Sequence, residues 1–257
     1  MTKTAAPMTS GSIWKQMTFF AMPIFLGNLF QQLYNTVDSL IVGNFLGSSA
    51  LAAVSSSGSL IFMLIGFLSG ISAGAGVIVA RFFGAGDEKN LQRAVHTTVA
   101  FGLVAGVLMT GVGVALSPQI LRWMDTPESV MRESVTYLQI YFAGSLGFVM
   151  YNVLVGILQA VGDSRHPLYY LIVSSVINLV LDLLFITGFH TGVGGAAVAT
   201  VISQIVSALL CFWQLLRTKE SYGLKIRKIR FDKGILVQII KIGLPSGVQN
   251  SIIAFAN

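Results

Sequence analysis

Residues 94–121 read AVHTTVAFGLVAGVLMTGVGVALSPQIL, 28 consecutive positions without a Lys, Arg, Asp or Glu. A helix needs about 20 predominantly apolar residues to cross the hydrocarbon core of a bilayer, so this stretch reads as a membrane span. The pattern continues on both sides. Residues 16–80 hold one charge, Asp38; residues 134–162 hold none; residues 166–216 hold one, Asp182. These runs have room for two, one and two further crossings. Helices are expected at about 16–43, 51–80, 94–117, 135–160, 167–189 and 193–217. The fold class is therefore an all-α polytopic membrane protein, a six-helix transmembrane bundle followed by the start of a seventh helix.

Composition agrees. Of 257 residues, 54% are hydrophobic and 10% charged, whereas about a quarter of a soluble domain is charged. Mean hydropathy is +0.77 and the isoelectric point lies near 9.6. The net charge of +6 does not signal nucleic acid, because the basic residues lie in short segments between apolar runs and no stacking aromatics accompany them. The single cysteine, Cys211, leaves no disulfide framework and no thiolate metal cluster. His96, His166 and His190 are isolated from one another and read as interfacial or loop residues. An integral membrane enzyme would need paired His or Asp motifs at the membrane rim, and none occurs, so no enzyme activity and no cofactor are expected. The first apolar run is too long for a signal-peptide core and reads as a retained span.

Charge also orients the chain. On one side fall Lys3, Lys15, Arg81, Lys89, Arg93, Arg165, Arg217, Lys219, Lys225, Arg227, Lys228, Arg230 and Lys233; on the other only Arg122 and Arg132. Thirteen against two places the N-terminus and the basic loop in the cytoplasm. Gly66, Gly70 and Gly74 in the second span, with Gly102 and Gly106 in the third, are spaced by four, which favours close helix packing in lipid.

Eight of the ten acids lie in loops, leaving Asp38 and Asp182 inside spans. An intramembrane carboxylate is costly enough to be read as functional. Asn28, Gln31 or Gln32, Asn35 and Asp38 recur at steps of three and four and share one helical face; so do Asn178 and Asp182. Thr200, Ser203, Gln204 and Ser207 form a third polar stripe. At ~1.5 Å per residue, Asp38, Asp182, Thr200, Tyr137 and Tyr141 fall in the same outer layer of the membrane. Adjacent carboxylates favour holding a proton between them, and carboxylate, amide and hydroxyl oxygens are equally the hard ligands a sodium ion accepts. Both cations remain open, and no other metal is expected. Gln159, Asn152, Ser203 and Ser207 also suit plain interhelical hydrogen bonding. Pro23 predicts a kink in the first span.

A weak repeat follows. At an offset of 222, Gln16 matches Gln238, Pro23 matches Pro245, Asn28 matches Asn250 and Asn35 matches Asn257. Both copies enter the membrane from the same side, as a parallel repeat requires. The expected organisation is a cytoplasmic tail (1–15), a six-helix lobe (16–217), a basic cytoplasmic inter-lobe loop (218–233) and the cut start of a second lobe (234–257), with the C-terminal lobe missing.

These residues carry a resemblance. Met22-Pro23, Asn35-Thr36-Val37-Asp38 with Gly43 and Gly47, Ala80-Arg81-Phe82-Phe83-Gly84-Ala85-Gly86-Asp87, and above all Gly156-Ile157-Leu158-Gln159-Ala160-Val161-Gly162-Asp163-Ser164-Arg165 with Pro167, Asn178 and Asp182 resemble the N-terminal lobe of multidrug and toxic compound extrusion (MATE) transporters, closest to the bacterial branch containing the DNA-damage-inducible type. The resemblance implies a twelve-helix, two-lobed antiporter in the bacterial cytoplasmic membrane. Such a protein exports amphipathic, often cationic compounds in exchange for H+ or Na+. It also implies a cation site at Asp38, Asn178, Asp182 and Thr200, with Tyr137 in some members. Pro23, Asn28, Gln31, Asn35, Gln159 and Gln204 are the candidates for a hinge or substrate path. A flippase for a lipid-linked precursor is the rival transport reading, although its cleft should be lined with cations and only Lys241 lies inside or near a span. A half-protein that transports nothing is the other alternative.

Overall fold

Two helices, α1 (Ile13–Leu46) and α2 (Ser48–Gly84), are joined by one residue, Gly47. That residue has φ 89° and ψ 179°, a region open essentially only to glycine. This computed structural model describes residues 12–256, and among them the regular structure is entirely helical. The chain continues through α3 (Glu88–Trp123), α4 (Glu128–Ala143), α5 (Ser145–Ala160) and α6 (Arg165–Leu183), which runs into one π-helical turn (Leu184–Gly188). Then come α7 (Gly192–Arg217), a short 3-10 turn (Ile226–Lys228) and α8 (Lys233–Ala256). Most of the expected tail, including Lys3, and the matched position Asn257 lie outside the described residues. Lys15 belongs to the first turn of α1 rather than to a tail.

By length and apolarity four helices can cross a membrane: α2, α3, α6 with its π turn, and α7. The α4–α5 pair makes a fifth span if its two arms are joined. The expected sixth, α1, is long enough at 34 residues but is not one of the four; it carries the stripe of Asn28, Gln31, Gln32, Asn35 and Asp38. Where one helix was expected at 135–160, the chain bends by 50° between α4 and α5. The reason lies in α7: a Cβ at Gly144 would overlap the Val201 side chain, and one at Gly147 would stand 2.7 Å from Ile205 Cγ1. The elbow is thus a groove of missing side chains that receives one ridge of α7.

Of the expected small residues, Gly70, Gly74, Gly102 and Gly106 pack closely. Gly102, Gly106 and Gly113 descend α3 against Val153 and Met150, Leu146, and the Phe142 ring, in antiparallel order. Gly70 and Gly74 of α2 lie directly on the backbone of Gly247 and Gly243 of α8, and Ser251 Oγ donates to Met63 O at 3.1 Å. Apolar packing forms two layers. One gathers Val79, Leu91, Val95, Leu154, Leu215 and Ile239; the other gathers Val42, Leu121, Leu138, Phe142 and Ile186. Val107, Leu108, Val112, Val180 and Leu209 face outward instead, as in a protein whose solvent is hydrocarbon.

The basic residues collect at one end of the bundle, where α3 begins and α7 ends. Asp87 caps α3 there, accepting from the Asn90 amide at 3.1 Å. That backbone bond, with a second from the Asn90 side chain, holds the Asp87 carboxyl below the usual carboxylate range. The loop 218–233 is bound along its backbone by α3. His96 Nε2 accepts from the Lys225 amide at 3.1 Å, and Thr97 Oγ1 accepts from the Asp232 amide at 3.1 Å. Gln92 Nε2 donates to Gly223 O at 3.1 Å and to Ser221 O. His96, expected as an interfacial or loop residue, is buried beneath this loop at 3% exposure. His166, bonded through Nδ1 to Asp163 at 2.6 Å, and His190, in the turn before α7 with φ 51°, do lie outside the apolar layers.

Candidate functional site

Asn178 and Asp182 stand one turn apart on α6, which points both at α7 and α1. Neither is solvent-accessible, with exposures of 1% and 0%. With its amide oriented by its partners, Asn178 Nδ2 donates to Asp182 Oδ2 at 2.7 Å and its Oδ1 accepts from the Thr200 amide at 3.2 Å. Thr200 Oγ1 donates back to Ala196 O at 3.0 Å. From α1, the Asp38 carboxyl comes within hydrogen-bonding reach of Asp182. Asp38 Oδ1 and Asp182 Oδ1 are both buried and without a donor. Two bare carboxylates so placed repel; a proton or a cation between them turns the contact attractive.

Tyrosines close the cluster. Tyr34 reaches the Thr200 hydroxyl and lies beside Asp38, while Tyr137 lies within electrostatic range of Asp38, Tyr34 and Asp182. The Tyr137 and Tyr141 rings stack with centroids 6.5 Å apart, and Tyr141 leans on Phe148 at 6.2 Å. Tyr34 was not among the expected residues. Its signal was available, since it precedes Asp38 by four and shares its face. Four helices, α1, α4, α6 and α7, thus supply Asp38, Tyr137, Asn178, Asp182 and Thr200. The π turn begins two residues after Asp182, the kind of local irregularity that is frequent at functional sites.

A second feature lies nearer the basic end. A cavity of about 570 Å³ opens between α1, α2, α5 and α6, and Pro23, Asn28, Gln31, Asn152 and Gln159 line it. Its size is that of a small-molecule pocket, and polar side chains sit among apolar ones there. Gln31 precedes Asp38 by seven residues, about 10 Å along α1 at 1.5 Å per residue. Four of the six hinge or path candidates therefore meet in one cavity, separate from the carboxyl pair. Asn35 and Gln204 do not line it; the Gln204 Oε1 is buried on α7 without a donor.

Long apolar helices, a lipid-facing apolar surface and polar groups turned inward define a multi-pass helical membrane protein. The MatE family model matches residues 23–184, and the chain belongs to that family. It is 34% identical over 252 residues to the probable multidrug resistance protein YoeA of Bacillus subtilis (strain 168), covering 95% of this chain and 54% of the relative. The outward-facing conformation of a multidrug resistance MATE family transporter of the MOP superfamily is similar, with a TM-score of 0.88 and 27% identity over 97% of this chain and 55% of that one. An inward-facing conformation of such a transporter gives 0.80 with 29% identity over 88% of this chain and 52% of that one. The chain thus spans about half the length of the relatives it matches.

Proposed function

We propose that the chain forms the N-terminal lobe of a secondary active exporter of amphipathic, often cationic compounds, driven by inward movement of H+ or Na+ in the bacterial cytoplasmic membrane. The observation that carries the reading is the meeting of Asp38 and Asp182 from two helices, with one oxygen of each buried and undonated. A monovalent cation entering there would be held by Asp38, Asp182, the Asn178 amide and the Thr200 hydroxyl, with Tyr137 beside them. The polar cavity at Asn28, Gln31 and Gln159 supports a substrate path distinct from the ion site. Coupling follows if cation and drug favour different packings of α1 against α6 and α7, with Pro23 as the bend point.

The same reading divides the chain into the lobe, the loop 218–233 as inter-lobe connection and α8 as the first helix of a second lobe, with the basic end in the cytoplasm. In the full-length transporter, Asp38→Asn or Asp182→Asn abolishes drug efflux driven by an imposed proton or sodium gradient in vesicles. Undiminished efflux in both variants rejects the ion site.

A further inference from the structure

The loop between α7 and α8 is fastened largely through its backbone, and its cationic side chains form no ion pair among the described residues. Gln92, His96 and Thr97 of α3 bind main-chain groups from Ser221 to Asp232, and Leu224 N donates to Leu215 O at 2.8 Å. This holds Lys89, Arg93, Arg227, Lys228 and Arg230 around a cavity of about 410 Å³. The one carboxylate on its wall, Asp232, is engaged: it pairs with Arg93 at 3.7 Å and accepts from the Ile235 amide at 3.2 Å. Among the described residues, Lys89, Arg227, Lys228 and Arg230 form no ion pair. Converged cations repel one another, so a pocket that pins them together is suited to a bound anion.

We propose that this pocket holds the phosphate of an anionic lipid headgroup. Phosphate matches both the guanidinium forks of Arg227 and Arg230 and the ammonium groups of Lys89 and Lys228. A free phosphate compound would use the same groups, and the surroundings select the lipid. Ile226 and Phe231, 59% and 46% exposed, alternate with the cations. They provide apolar side chains for the acyl boundary beside charges for the headgroup layer. The pocket also lies at the depth where α3 and α8 begin and α7 ends, the level of the headgroups, and basic pockets at helix ends bind such lipids.

The test is native mass spectrometry of the 257-residue chain in neutral detergent, titrated with phosphatidylglycerol, phosphatidylcholine or glycerol 3-phosphate. Phosphatidylglycerol is retained at least about tenfold more strongly than phosphatidylcholine. The combined variant Arg227→Gln, Lys228→Gln, Arg230→Gln loses that preference, whereas Arg122→Gln with Arg132→Gln at the opposite end keeps it. Equal retention of the two lipids, or a preference that survives the triple variant, overturns the site. Glycerol 3-phosphate binding as tightly as phosphatidylglycerol overturns the lipid and makes the ligand a soluble phosphate.

Discussion

Asn178 is bonded to Asp182 at 2.7 Å across one turn of α6, and to the Thr200 backbone at 3.2 Å across to α7. One amide therefore sets both the direction of the Asp182 carboxyl and the spacing of two helices. Asn178→Ala leaves Asp182 Oδ2 without that donor. Under the proposed ion role, the full-length transporter then needs about 10- to 100-fold more coupling cation for half-maximal efflux, the usual cost of losing a group that orients an ion ligand. An unchanged cation dependence assigns Asn178 to packing alone.

Gly70→Ala places a Cβ into the backbone of Gly247, where no side chain can rotate away. Overpacking of that kind costs about 1–3 kcal/mol and lowers the melting temperature of the purified chain. Gly58, also within α2, has nothing within 4 Å of an added Cβ. Gly58→Ala therefore leaves stability unchanged or raises it through helix propensity. Equal behaviour of the two variants would contradict the α2–α8 contact.

His96→Ala removes the acceptor for the Lys225 amide. A hydrogen bond worth about 1 kcal/mol corresponds to roughly fivefold faster hydrogen exchange at that amide. Thr97→Val does the same at Asp232. Exchange at both amides that ignores the substitutions would show the loop to be held some other way.

The only cysteine, Cys211, is buried, which leaves a silent background for thiol labelling. Gln31→Cys and Asn152→Cys, on the cavity wall, react with a small water-soluble maleimide, and Asn178→Cys, at a 1% exposed position, does not. Labelling at 178 as fast as at 31 would merge the cavity with the carboxyl cluster.

Charge and hydropathy were enough to read the helical class, because a soluble helix 28 residues long would carry charges on its solvated face. The pairing of Asp38 with Asp182 was legible for a related reason: carboxylates are so rare in spans that two at matching depth point to each other. Two features were not legible. The bend at Gly144 depends on Val201, 57 residues later, and no local signal separates such a glycine from the packing glycines of α3. The loop's attachment rests on His96, Thr97 and Gln92 binding main-chain atoms, which carry no sequence signature. In α1 the polar stripe that drew attention to it also sets it apart from the four helices that are long and apolar enough to cross a membrane.

The contact of Gly70 and Gly74 with Gly247 and Gly243 has a mechanical meaning. Where two helices touch through bare main chain, few side-chain ridges interlock, so the contact fixes their separation more firmly than their relative angle. Main chain therefore sets the distance between the two axes at these positions, and any added methyl group would force them apart.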